Sequence, residues 1–412
     1  MDNGLSRRRF LTRGMALGCS LAASPLVTPV SLAATAGENR LVVIVLRGGL
    51  DGLDLLRPWG DAGFAALRPN LAADRPDDLM LNDMHGLHPA LAPLVPMWRA
   101  GELGFVQAVS TPYRDKRSHF DGQDILEAGT PGLGQGGARD GWLNRLLQGM
   151  DGVDARTAYA IGIDPMLLSR GAAPVSSWTP EVDMVLSAPG LALMQGMYEG
   201  DPDMAAALRE AVVLAESDGD AAIFEAADGE MMQALADDTQ PAGARAGKRH
   251  VQVAGFAARQ LAADARIACF SIGGWDSHRK QRNTLNGPMR SLADTLTALR
   301  DGLGAVNWGR TTVVAMTEFG RTVRENGTQG TDHGTGGMML LAGGALRGGT
   351  VHGQWPGLDE ADLYQRRDLI PMDDVRRWAG WAIRSSFGID KGYLERVVFP
   401  GMTLGGDPGL LL

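Results

Sequence analysis

Residues 311–337 read TTVVAMTEFGRTVRENGTQGTDHGTGG. The segment opens on an apolar, β-branched run, 311–317, of the kind found in strands buried on both faces. Glu318 ends the run, Arg321 follows, and a Gly-rich loop then delivers Asp332 and His333 side by side. Open α/β sheets gather their chemistry where buried strands end, in the loops at one edge. The segment therefore predicts both a fold class and the edge on which to look for a site.

The same texture recurs on either side. Residues 40–47, RLVVIVLR, read as the first, central strand, and 104–109, 157–163, 266–272 and 338–342 read as further strands. Residues 349–353 predict an edge hairpin bearing His352. An amphipathic run, 289–303, lies between the 266 and 311 strands, which is the order of a right-handed parallel crossover. Residues 90–100, 140–147 and 372–387 predict amphipathic helices, the last with Asp373 and Asp374 at its start, where carboxylates suit the helix dipole. From about 202 to 264 the texture changes to Ala, Glu, Asp and Met at helical spacing, and 204–215, 221–236 and 250–263 predict a helical insertion. The expected fold is one α/β domain over 37–412, with a mostly parallel central sheet and helices on both faces.

Several strand ends carry polar groups. Asp51 stands in the turn after the first strand, where it serves either as an Asp-Gly turn residue or as a metal-ligating carboxylate. Asp276 and His278 follow the 266 strand and a Gly-Gly-Trp turn, and residues two apart in extended chain point the same way. Glu318, Asp332 and His333 complete the set of candidate ligands. Ser118 has helix N-cap spacing with Asp121, and a hydroxyl at a helix start beside cations also suits a nucleophile; the two roles can coexist. Ser118 and the adjoining His119 are the catalytic candidates, with Arg117 and Arg321 as anion-binding partners. His85 and His88 stand at a helix entrance without an acid cluster and read as packing residues. Mixed Asp, Glu and His ligands suit one or two zinc, manganese or magnesium ions. Such ions, with a serine and two arginines, suit attack on a phosphate or sulfate ester.

Composition narrows the field. Of 412 residues 44% are apolar, enough for a large core, and the formal charge is −9 with no basic stripe, which argues against nucleic acid as a partner. Residues 6–11, SRRRFL, match the twin-arginine export pattern, ahead of an apolar stretch and small-residue cleavage sites at 34–36. Residues 1–36 are the expected leader, the twin-arginine translocase the expected export partner, and the periplasm or exterior the expected destination. Cleavage leaves Cys269 without a disulfide partner.

The motifs LRGGLDGLD, RSHFDGQD, GGWDSH, TEFGR and GTDHG, behind such a leader, resemble the domain-of-unknown-function 1501 family over essentially the whole mature chain. That family is thought to belong with the alkaline phosphatase and sulfatase superfamily. The resemblance implies an alkaline phosphatase-like fold with Asp51 as first ligand, Ser118 as nucleophile, Asp276 and His278 as the middle pair, and His333 as final histidine. Glu318 takes the place of the aspartate of an Asp-His pair, and Phe319 stands where its histidine belongs. A second register places Asp332 and His333 at that pair. Two functions are expected from this. One is an exported metal-dependent hydrolase acting on anionic small-molecule or polymer esters. The other is a non-catalytic binding or assembly module with a cell-envelope protein partner.

Overall fold

The computed structural model describes residues 38–73, 77–134, 139–162, 166–179 and 242–412, with a few positions between 196 and 209. The leader and most of the expected helices 204–215 and 221–236 fall outside the described residues.

The main sheet is built from β1 (Arg40–Leu46), β2 (Leu103–Ser110), β3 (Ala158–Ile161), β4 (Ser176–Trp178), β5 (Ile267–Ile272), β6 (Thr311–Met316), β7 (Gly337–Ala342), β8 (Thr350–His352) and β9 (Asp373–Asp374). Its order is β8-β2-β7-β6-β1-β5-β3-β4, with β9 also pairing β2. The aliphatic run predicted as the central strand is indeed interior, with β5 and β6 parallel on its two sides. Period-two alternation divides its side chains between two cores. Val42, Ile44 and Leu46 face the helices α3 (Ala242–Ala262) and α4 (Asn286–Trp308). Leu41, Val43 and Val45 face α2 (Trp142–Gln148) and α5 (Val375–Phe387). Each such side chain, fully withdrawn from water, contributes roughly 1.5–3 kcal/mol. The fold is thus mixed α/β with helices on both faces.

Residues 350–352 form no hairpin; β8 lies parallel to β2 as an edge strand. The sheet is mostly parallel, as expected, and its consequential exception is β7, which runs antiparallel to both β6 and β2. The connection 317–336 therefore joins adjacent strands and stays at the edge where β1, β5 and β6 end. It folds back on itself through close backbone approaches. A Cβ on Gly320 would lie 1.9 Å from the Gly336 carbonyl oxygen, and one on Gly330 would lie 2.3 Å from the His278 carbonyl carbon.

Residues 90–100 form a 3₁₀ turn, Pro89–Leu94, followed by a short helix, Val95–Arg99, because Pro93 and Pro96 interrupt a longer one. His88 caps the turn, its Nδ1 accepting from the Ala90 N–H at 3.1 Å. Burial pushes its pKa down to about 4, with the Arg57 charge adding to the effect and Asp54 opposing it. The unfolded chain thus takes up a proton near pH 6.5 that the folded chain refuses until about pH 4. The associated stability is complete above the unfolded pKa and disappears as pH falls towards the folded one. A shift of that size is about 3 kcal/mol. His88→Asn, which keeps an acceptor for the cap, is expected to flatten this acid dependence in urea unfolding curves taken across the window.

Candidate functional site

Four chain segments meet beyond the ends of β1, β2, β5 and β6. Segment 47–51 leaves β1, and α1 (His119–Ala128) follows β2. Segment 273–278 leaves β5, and 317–336 leaves β6. At their junction His119, Asp276 and His333 each offer one ligand atom, and these atoms lie within 4.8 Å of one another. His278 stands at the edge of this set, its Nε2 3.0 Å from both Asp276 Oδ1 and His333 Nε2.

The outer nitrogen of each imidazole is held. Glu318 Oε1 lies 2.8 Å from His119 Nδ1, Asp332 Oδ1 lies 3.1 Å from His278 Nδ1, and the Arg117 carbonyl lies 2.9 Å from His333 Nδ1. An acceptor on Nδ1 fixes the tautomer that leaves an Nε2 lone pair pointing inward, the usual arrangement of metal-ligating histidines. His119 Nε2 is buried and has no hydrogen-bond partner. Two imidazole nitrogens 3.0 Å apart, as in His278 and His333, either share a proton or aim both lone pairs at one cation. Phe319 closes the floor, its ring centroid 5.0 Å from that of His119 and 5.1 Å from that of His333.

Two of the supporting charges, Glu318 and Arg321, are buried. Glu318 is fully buried, and burial alone raises a carboxyl pKa. Hydrogen bonds from His119, Gln123 and the Gly48 N–H outweigh that and hold it below its ordinary value. The Glu318 bond in turn raises the His119 pKa against the opposing effect of burial. Burial lowers that of His333 and favours the neutral ring that a metal needs. For Asp276 the desolvation cost is overcome by Arg321, whose guanidinium lies 2.5 Å from Oδ1, and the pKa falls.

The remaining sequence candidates sit around this set. Arg321 is 1% exposed and donates to the carbonyls of Gly48, Gly49, Trp275 and Thr331, so it fastens three segments together and offers no open face to a ligand. Arg117 reaches Asp368 at 3.4 Å, while its left-handed backbone, φ 54°, turns the carbonyl to His333. Ser118 caps α1, its Oγ accepting from the Asp121 N–H at 3.4 Å, and no hydrogen bond joins it to the cluster among the described residues. Asp51 is 1% exposed and lies outside the cluster. It caps the turn Gly52–Leu55 and accepts from Arg68 at 2.7 Å and Gln281 at 2.6 Å.

Sequence reasoning passed over Arg68, Gln123 and Gln281. Gln281 is fully buried and bridges Asp51, Asp54, Ser277 and Thr331. Its position three residues after His278 was the only available signal. Arg68 has no local signal at all. A family model described as a protein of unknown function (DUF1501) matches residues 38–373, a span that contains every residue of the cluster. No curated protein matches the chain.

Proposed function

Because the chain belongs to the DUF1501 family, which carries no assigned activity, we propose a function from the site itself: a divalent-metal-dependent hydrolase of phosphate or sulfate esters. One observation supports it most. Three imidazoles, each fixed from outside at Nδ1, present Nε2 beside one carboxylate. The donor set fits a single ion, His119, Asp276 and His333 being its holders, and its nitrogen content favours zinc or manganese over magnesium. Bound there, such an ion supplies a Lewis acid that polarises an ester oxygen.

In this reading Glu318 and the Arg117 carbonyl orient the ligating rings, and Arg321 fixes Asp276. His278, paired with Asp332, takes the proton of an attacking water at Nε2 as the bond to the leaving oxygen breaks. Ser118 is a helix cap, since among the described residues no histidine or carboxylate contacts its hydroxyl. Ser118→Ala is then expected to keep the metal and most of the activity while losing about 1 kcal/mol of stability. A loss of turnover with metal retained would instead make it the nucleophile. The reading as a whole is tested by measuring metal content and the hydrolysis of aryl phosphates and aryl sulfates before and after chelation. Substoichiometric metal in protein purified without chelator overturns it.

Phe319, packed against two of the imidazoles, favours a second reading: an alkaline phosphatase-like module that binds rather than hydrolyses. Bound metal without turnover on any ester, together with a stoichiometric envelope partner, would select it.

We also propose export by the twin-arginine route, on the strength of Ser6–Leu11. No helix among the described residues is long and apolar enough to cross a membrane. Arg7→Lys with Arg8→Lys is expected to hold the protein in the cytoplasm, as read by cell fractionation; unchanged export would remove this part of the proposal.

A further inference from the structure

Resting on the hydrolase reading, we propose that the substrate is an acidic carbohydrate chain, held by a collar of cations around the cluster. Lys116, Arg279, Lys280 and Arg324 are exposed, and among the described residues their side chains have no hydrogen-bond or ion-pair partner. Each rides on a chain segment that also supplies the site. Lys116 precedes His119 by three residues, Arg279 and Lys280 directly follow His278, and Arg324 lines a cavity of about 440 Å³ that Asp332 also lines. The acids of that cavity are engaged: Asp332 by His278 and Asn326, Glu325 by Asn70 and the Leu71 N–H, Glu360 by Arg366. A second cavity, of about 360 Å³, is lined by Lys280 and Arg282 and by no carboxylate.

In a chain of net charge −9, unpaired cations on the segments of one site draw a ligand with negative groups beyond the reacting one. The two cavities lie on either side of the 325–329 turn, and the four cations stand on three chain segments with no continuous basic stripe between them. A nucleic acid calls for a continuous basic track, whereas a chain of sugar rings bearing scattered acidic groups needs only separate cations. Phe120, 84% exposed beside His119, offers a flat apolar face of the kind that sugar rings pack against.

The test uses the metal-loaded mature chain and three probes: dextran sulfate, uncharged dextran and single-stranded oligo-dT. Dextran sulfate alone is expected to bind, with affinity falling as salt rises. Lys280→Glu with Arg324→Glu is expected to weaken that binding roughly tenfold or more at unchanged metal content. Phe120→Ala is expected to weaken it further. Equal binding by the charge-reversed protein, or no binding at all, overturns the collar; tighter binding of oligo-dT overturns the carbohydrate; an indifferent Phe120→Ala overturns the stacking face. Wild-type protein that binds dextran sulfate but holds no stoichiometric metal and hydrolyses no ester keeps the collar while removing the hydrolase reading.

Discussion

His333→Ala is expected to abolish stoichiometric zinc or manganese binding and, with it, ester hydrolysis. The variant removes one of three converging ligand atoms, together with the ring that the Arg117 carbonyl positions. The loss in metal affinity should exceed the roughly 10–100-fold that follows removal of an outer-sphere partner. Glu318→Gln provides that comparison. It is isosteric and retains an oxygen for the Gly48 N–H, but it removes the charge that holds His119 Nδ1. Titration with a competing chelator should therefore rank wild type first, Glu318→Gln about one to two orders of magnitude behind, and His333→Ala last. Equal affinity in all three would show that the imidazoles hold one another and not an ion.

The second large effect concerns stability. Arg68→Met is expected to cost roughly 3–5 kcal/mol, because it leaves Asp51 charged and buried without its ion pair. Arg68 is fully buried, and its guanidinium also donates to the carbonyls of Thr322 and Val323. Those two residues belong to the 317–336 connection, so the same change should loosen the site. Combining it with Asp51→Asn should recover part of the loss, since the uncompensated charge is gone. Urea unfolding of the two single variants and the pair measures the coupling. Strict additivity would mean that the pair contributes nothing as a pair.

Much of the sheet was legible because β-branched aliphatic runs have few alternatives to buried strands. The edge bearing the site was legible for the same reason: each run ended in polar residues. The orientation of β7 was not, since GMMLLA reads alike in either direction and only the pairing with β2 and β6 decides it. Asp51 shows a different limit. An acid at a strand end looks the same whether it faces an ion or a guanidinium, and what distinguishes them is Arg68, whose surroundings in sequence carry no pattern. His119 is the converse. Its place in the cluster depends on Glu318, 199 residues away, which pins its outer nitrogen.

The reversed strand has one more consequence. Glu318, Arg321, Asp332 and His333 all ride on a single uninterrupted stretch whose two ends are anchored in neighbouring strands. Exchanging that stretch for a related one would swap several polar groups together while leaving the order of the sheet untouched. The scaffold thus offers a cassette through which selection, or an engineer, can retune the rim in one step.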